Sequence, residues 1–146
     1  MKKSGAFNCE AILRSLPEWF GIEEAIVSYR RDIETMDTYI AETAGEVVGF
    51  ITLKLHNEYS AEIQVMAVLR AHHGTGLGRA LVEHAEQVLR AQSLEFLQVK
   101  TVGPSRPDEH YDRTRGFYSA LGFRPLEENN LWGEVNPCLM MIKYLK

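Results

Sequence analysis

Cysteine is scarce in this chain of 146 residues, where only Cys9 and Cys138 occur, near opposite ends of the sequence. Neither belongs to a spacing typical of zinc or redox sites, so we expect two free thiols in a reducing compartment and no bound metal. The sequence also lacks a run of about 18 apolar residues and the apolar core of a signal peptide. We therefore expect a cytoplasmic protein with no membrane partner.

Basic residues are not in excess either. The 16 Lys and Arg residues face 20 Asp and Glu residues, which gives a net charge of -4. Because proteins that bind nucleic acid nonspecifically present a basic surface, this balance argues against a nucleic-acid partner. The composition, 45% hydrophobic and 25% charged, is that of a globular protein. The length predicts a single domain over residues 1–146.

Hydrophobic spacing divides the chain into helices and strands. Residues 8–20 predict a short helix that Pro17 interrupts and an irregular turn after it. Further predicted helices cover residues 21–36, 77–92 and 111–121, and the predicted strands cover residues 38–43, 47–55, 61–69, 96–102, 123–126 and 139–145. Short breaks between the first three strands predict an antiparallel meander. Strands and helices do not alternate regularly in this order, which indicates an α+β (mixed α/β) domain.

The third predicted strand alternates between polar and apolar residues. Because successive strand side chains point to opposite faces, one face carries Glu62, Gln64, Met66 and Val68. The opposite face carries Ile63, Val65, Ala67 and Leu69. We therefore expect the two polar side chains to point away from the more apolar face.

Three alternating glycines, Gly74, Gly76 and Gly78, lie between this strand and the next helix. Glycine adopts positive φ and lets the backbone approach a ligand closely. A turn of this kind at a helix N-terminus presents bare N–H groups and the positive end of the helix dipole, an arrangement that binds phosphate. A plain strand-to-helix turn is the alternative for the same residues.

Two well-known phosphate loops do not fit these glycines. A Walker loop needs Lys and then Ser or Thr directly after its last glycine, but Arg79 and Ala80 follow Gly78. A Rossmann fingerprint reads G-x-G-x-x-G inside a βαβ unit, whereas this loop reads G-x-G-x-G after three predicted antiparallel strands. A nucleotide-binding module is therefore the weakest of the functions considered.

Two other segments match one known family. Residues 61–68, Ala-Glu-Ile-Gln-Val-Met-Ala-Val, with residues 74–81, Gly-Thr-Gly-Leu-Gly-Arg-Ala-Leu, resemble the acetyl-CoA signature of the GNAT superfamily of N-acetyltransferases. His73 stands where Gln or Arg is usual in that signature. Downstream, residues 116–123 resemble the family's pattern of an aromatic residue and a tyrosine followed by Gly-Phe, with Tyr118 as the tyrosine.

This resemblance implies the GNAT acyl-CoA N-acyltransferase fold, a mixed central sheet flanked by helices, with acetyl-CoA as cosubstrate. Backbone N–H groups of the glycine loop would hold the pyrophosphate of coenzyme A. The backbone of residues 66–68 would pair with the pantetheine arm like an added strand. The residues implied for coenzyme binding are Met66, Ala67, Val68, His73, Gly74, Thr75, Gly76, Leu77, Gly78, Arg79 and Tyr118.

The chain departs from the family's pattern on the acceptor side. Tyr111 stands where many members carry an asparagine upstream of the tyrosine. The N-terminal segment also shows no clear strand before its helices, which predicts a sheet one strand short of the family's sheet. Analogy with the acceptors of other members is therefore weak.

The resemblance also implies two catalytic residues. A lysine-like amine is mostly charged at neutral pH, so a base must remove its proton before transfer. Glu62 matches the general base of histone-acetylating members, and Tyr118 is implied to donate a proton to the departing thiolate. The alternatives are a solvated strand glutamate and a core tyrosine, and His110 is a further candidate base.

No Gly-x-Ser-x-Gly element or Cys/His signature indicates a covalent intermediate. We therefore expect direct transfer of an acetyl group from acetyl-CoA to a primary amine within a ternary complex. The amine would belong to a small molecule or to a protein or peptide. A non-catalytic acyl-CoA-binding or regulatory domain is the alternative, and the oligomeric state stays open, with a homodimer as one option.

Overall fold

The computed structural model describes the backbone of residues 2–3 and 6–146 and the side chains from residue 8 onward. The strands of the described chain are β1 (Lys2–Lys3), β2 (Asp37–Thr43), β3 (Glu46–Leu55), β4 (Ser60–Val68), β5 (Phe96–Val102), β6 (Arg124–Asn129) and β7 (Cys138–Tyr144). The helices are α1 (Ala6–Arg14), α2 (Glu23–Thr35), α3 (Leu77–Ala91) and α4 (Glu109–Ala120). A short 3-10 turn, Arg70–His72, follows β4.

These strands form one mixed sheet in the order β1-β2-β3-β4-β5-β7-β6. Neighbouring strands are antiparallel except β4 and β5, which run parallel. On one face, α1 and α2 pack through a core that contains Leu13, Ile33 and Phe50. On the other face, α3 and α4 pack through a second core that contains Leu81 and Tyr118. The predicted α+β class and the antiparallel meander are confirmed.

The sheet is not one strand short, and that prediction was wrong. β1 pairs antiparallel with β2, with Lys2 opposite Ile40 and Lys3 opposite Tyr39. Two lysines carry no alternation of polar and apolar residues, so the periodicity from which strands are predicted gives no signal there. Pairing with the edge of β2 forms this strand.

A β-bulge in β4 changes the predicted faces. Thr52 of β3 pairs with Val65 and Leu53 pairs with Ile63, so Gln64 is an extra residue without an opposite partner on β3. Glu62 and Gln64 therefore point toward α2, whereas Met66 and Val68 pack against the core under α3. The prediction that all four share one face was wrong because the extra residue reverses the alternation.

A buried carboxylate fixes α3 to the sheet. Glu86 is 4% exposed and pairs with Arg90 at 3.2 Å, as the spacing of four residues predicts. It also pairs with Lys143 of β7 at 2.8 Å. Because β7 is far away in sequence, only the packed structure reveals this second contact.

No helix in the described residues is long and apolar enough to cross a membrane. Cys9 and Cys138 are both buried free thiols. Burial raises the pKa of the Cys9 thiol to about 11. That thiol is therefore kept in its unreactive protonated form at neutral pH.

Two leucines of β3 test the packing of the sheet. Leu53 is 3% exposed and Leu55 is 51% exposed. We expect Leu53→Ala to lower the free energy of unfolding by about 2–5 kcal/mol, because it leaves a cavity in the core. Leu55→Ala, the matched control, should change it by no more than about 0.5 kcal/mol. Urea unfolding of both variants measures the difference, and equal effects would contradict the difference in burial between these two positions of β3.

Candidate active site

The sheet opens between its two parallel strands. β4 and β5 pair only from Ser60 opposite Phe96 to Ile63 opposite Val99. β4 nevertheless continues to Val68, and β5 continues to Val102. Beyond the last pair the strands separate, and no other described strand occupies the gap. This opening, which we call the split, leaves backbone N–H and C=O groups of β4 free to bind an extended ligand.

The glycine loop lies at the far end of the split. Gly74 has φ +76 and Gly76 has φ +88, both in the left-handed region. A Cβ added at either glycine would meet no atom within 4 Å, so open space lies beside the backbone. No side chain caps the start of α3. Its first N–H groups are therefore available to an anion such as phosphate.

Gly78 has a different environment from the two glycines before it. A Cβ at Gly78 would lie 3.1 Å from Cζ of Phe117 on α4 and 4.0 Å from Cε of Met66. This glycine therefore permits the close approach of α3 and α4 beside the split. The family resemblance implied that Gly78 binds the coenzyme together with Gly74 and Gly76. Glycine serves both for close approach of a ligand and for close packing of helices, so the sequence does not distinguish the two roles.

The other residues implied for coenzyme binding lie around this loop. The exposed His73 bonds through Nε2 to the carbonyl oxygen of Val68 at 2.7 Å, which ties the loop to the end of β4. Thr75 donates its hydroxyl hydrogen to the carbonyl of His72 at 2.6 Å. The side chain of Ala67 packs under α1, so only its backbone is available to a ligand in the split. Leu77 is half-buried and Arg79 is exposed, both in the first turn of α3.

Tyr118 lies in α4 and is 5% exposed. Its ring makes edge contacts with Phe117 and Phe123 at centroid distances of 5.2 and 5.4 Å. Burial raises the pKa of the phenol, so it stays protonated at neutral pH. No described protein group bonds to its hydroxyl, and no enclosed side-chain polar atom lacks a partner in the described chain. The hydroxyl therefore reaches a surface from which it can donate.

Glu62 is a buried ion-paired carboxylate rather than a solvated strand residue, at 5% exposed. Lys100 places Nζ 2.8 Å from Oε1 and 2.9 Å from Oε2 of Glu62. His56 Nε2 lies 2.7 Å from Oε1. The sequence did not predict His56 or Lys100, because their proximity depends on how β3 and β5 align with β4.

The α2 helix brings further polar groups to the same face. Gln64 donates from its side-chain amide to Asp32 Oδ2 at 3.0 Å. Burial raises the pKa of Tyr29, and the nearby carboxylates of Asp32 and Glu62 raise it further. This face of the sheet therefore combines the acidic and phenolic groups of Asp32, Glu62 and Tyr29 with the basic groups of Lys100 and His56.

Trp19 links the segment between α1 and α2 to both sides of the split. Its indole N–H donates to Thr114 Oγ1 at 3.1 Å on α4, and its carbonyl accepts from the Tyr111 hydroxyl at 3.0 Å. Its ring lies 4.8 Å from the ring of His110 and 5.8 Å from that of His73. Tyr111 thus supports this bridge. No described contact joins His110 to Glu62.

Metal ligands do not cluster in the described residues, where no group of three or more His, Cys, Asp or Glu side chains is arranged to hold an ion. The site thus consists of a backbone edge, a glycine loop, a protonated phenol and a buried carboxylate.

Comparison with known proteins relates these features to a family. The acetyltransferase (GNAT) domain profile matches residues 34–125. An uncharacterized N-acetyltransferase of Chlorobaculum tepidum is 26% identical over 121 residues, which cover 77% of this chain and 71% of that protein. The mycothiol acetyltransferase of Beutenbergia cavernae is 30% identical over 89 residues, which cover 61% of this chain and 28% of that protein.

Solved structures share the whole fold. A protein assigned to the GNAT acetyltransferases from Desulfovibrio desulfuricans superposes with a TM-score of 0.87 at 16% identity, covering 99% of this chain and 98% of that one. A GNAT acetyltransferase from Elizabethkingia anophelis, with acetyl-CoA bound, gives 0.72 at 18% identity, covering 90% and 89%. The profile match over most of the chain, together with this fold, shows that the chain belongs to the GNAT acetyltransferase family.

Proposed function

We propose that this protein transfers an acetyl group from acetyl-CoA to a primary amine by direct transfer in a ternary complex. The observation that carries the proposal is the split, because parallel pairing ends at Ile63 and Val99. The β4 edge there is open to an extended ligand, and the glycine loop follows it at one end. We also propose that residues 1–146 form one catalytic domain that acts in the cytoplasm.

The glycine loop fits the pyrophosphate of coenzyme A. Gly74 and Gly76 have positive φ and open space beside them. The first N–H groups of α3 have no side-chain cap, so they and the positive end of the helix dipole favour binding of an anion there. The backbone of residues 66–68 offers the pantetheine arm hydrogen bonds like those of an added strand, beside the Val68 carbonyl that already accepts from His73. The coenzyme supplies the activated acetyl thioester, and these residues of the chain hold it.

Tyr118 is suited to act as the general acid. Its burial keeps the phenol neutral, and its hydroxyl makes no bond to a described protein group that it would have to break. A thiolate leaving group needs a proton as its negative charge develops, and a phenol within hydrogen-bond reach supplies one. The raised pKa of Tyr118 predicts that this acid remains protonated well above neutral pH.

Glu62 is proposed to take part in removing the proton of the amine on the acceptor side. The amine must lose a proton before or during its attack on the thioester. Glu62 lies one residue before Ile63, where pairing between β4 and β5 ends, on the face lined by α2. It is therefore close to the split, on the face of the sheet opposite to α3.

A matched glycine pair tests coenzyme binding. Acetyl-CoA at about 100 times its Kd should stabilise the wild type by about 2.7 kcal/mol, seen as a rise in Tm, whereas NAD should not. Gly76→Val should abolish the rise, because a β-branched side chain would fill the open space beside the phosphate site. Gly45→Val carries similar backbone strain, since Gly45 has φ +80 and open surroundings in the β2–β3 turn. The control should keep the coenzyme effect, and its loss there would contradict the loop assignment.

The Tyr118 hydroxyl is tested by Tyr118→Phe. If the phenol is the general acid, kcat should fall by roughly 10² to 10⁴ while the acetyl-CoA Kd stays the same. The free energy of unfolding should change little, because the hydroxyl has no described partner. Tyr144→Phe, at a tyrosine that is 54% exposed, is the control. Normal turnover by Tyr118→Phe would exclude it as the acid and leave it as a core residue.

The acceptor class is found by measuring the release of free coenzyme A. Wild type is incubated with acetyl-CoA and a panel of amines that includes small polyamines, aminoglycosides and lysine-containing peptides. We expect release with at least one primary amine. Coenzyme binding without release for any amine would reject the enzyme and favour the acyl-CoA-binding or regulatory domain.

A further inference from the structure

The carboxylate of Glu62 is occupied on both oxygens. Its Oε1 contacts Lys100 at 2.8 Å and His56 at 2.7 Å, and its Oε2 contacts Lys100 at 2.9 Å. The Glu62 side chain is only 6% exposed, so a substrate has little room to reach it. Protonating Glu62 would also weaken the charge-assisted bonds to Lys100. The proton of the amine therefore needs another acceptor.

The contact with Glu62 fixes the tautomer of His56. An ionised carboxylate can only accept hydrogen bonds, so at 2.7 Å the hydrogen must be on Nε2 of His56. A neutral ring in that tautomer carries its lone pair on Nδ1. No described protein group bonds to Nδ1, and the His56 side chain is 28% exposed. Nδ1 therefore carries an unshared lone pair on a partly exposed ring.

The contacts form a path from the split to solvent. Lys100 follows Val99, where pairing between β4 and β5 ends. Glu62 connects Lys100 to His56, which lies just after β3. The imidazole is thus the partly exposed end of a chain of contacts whose other end, Lys100, lies where the split begins.

We propose that Nδ1 of His56 accepts the proton of the acceptor ammonium through a bridging water, and that Glu62 is the positioning residue that stabilises the resulting imidazolium. This inference rests on the proposed function and names the base of that reaction. The ammonium N–H bond breaks, and an N–H bond forms at Nδ1 while Nε2 keeps its hydrogen on Glu62. The electron pair left on the amine attacks the thioester carbonyl carbon, and the C–S bond then breaks. The departing thiolate takes the proton of Tyr118, and the second proton lost by the amine nitrogen returns through water to the Tyr118 phenolate. Nδ1 later releases its proton to water.

Other titratable groups surround this pair without replacing it. They are Lys54, opposite Glu62 on β3, Lys100 on β5, Tyr29 and Asp32 on α2, and Cys138 on β7. His110, the base suggested by the sequence, is less suitable. Its Nδ1 lies 2.9 Å from Arg113 Nη2, so its lone pair already accepts a hydrogen bond. Its ring also packs against Trp19.

The pH dependence of kcat/KM separates the two candidate bases. Rates are expressed per ammonium, with an acceptor found by coenzyme A release and at pH values well below the pKa of its amine, so that ionisation of the amine does not contribute. We expect His56→Gln to lower kcat/KM by roughly 10² or more and to remove its acid limb. Glu62→Gln should lower the rate but keep the limb, because a glutamine oxygen still accepts from Nε2. The reverse pattern, with the limb lost only in Glu62→Gln, overturns the proposal.

Chemical rescue gives an independent readout. Added imidazole should restore much of the activity of His56→Ala and should not accelerate Glu62→Gln, in which His56 is still present. His84→Gln is the matched control, since His84 lies on α3 against Tyr39, on the other face of the sheet. It should keep wild-type kcat/KM. Wild-type activity of His56→Ala, or a loss that imidazole does not restore, overturns the assignment.

Folding of the variants is checked separately. Glu62→Gln leaves the Lys100 ammonium without its carboxylate, so Glu62→Gln combined with Lys100→Met is measured beside it. The rise in Tm with acetyl-CoA reports an intact fold and coenzyme site in each variant. An inactive wild type would reject the proposed function itself, whereas an active wild type with an unchanged His56→Gln profile rejects only the role of His56.

Discussion

Parallel pairing between β4 and β5 ends at Ile63 and Val99, and both faces of the proposed active site are arranged around that end. A strand edge without a partner is normally a liability, because its N–H and C=O groups must be satisfied by water or by a ligand. Here that edge continues for five residues of β4, from Gln64 to Val68. The same interruption that weakens the sheet gives it a place to bind an extended molecule.

The β-bulge at Gln64 gives the two faces of the split different chemistry. Before the bulge in the sequence, the side chain of Glu62 points toward α2 and its polar residues. After the bulge, Met66 and Val68 point into the core under α3. Without the extra residue, Glu62 and Met66 would face the same side of the sheet. One inserted residue therefore separates the proposed acceptor side from the proposed coenzyme side along a single strand.

The ion pair of Glu62 and Lys100 connects β4 to β5 next to the point where their backbones separate. Burying two charges is costly, and removing one partner of such a pair typically destabilises a protein by about 3–5 kcal/mol. A buried ion pair is weak evidence for stability, but it fixes the positions of the two side chains relative to each other. Here it holds the carboxylate in a fixed orientation, and His56 adds a third contact. Trp19 has a comparable role at the other end, where it joins the glycine loop to α4.

The sequence alone determined most of the local structure and the family. The alternation in residues 47–55, the helical spacing after Leu77 and the glycines before it are local patterns, so each could be read without a fold. The tertiary structure decided everything that depends on which strands meet. It revealed β1, the bulge at Gln64, the close approach at Gly78 and the burial of Glu62. His56 and Lys100 come from elements distant in sequence, and register between strands alone brings them to the same carboxylate.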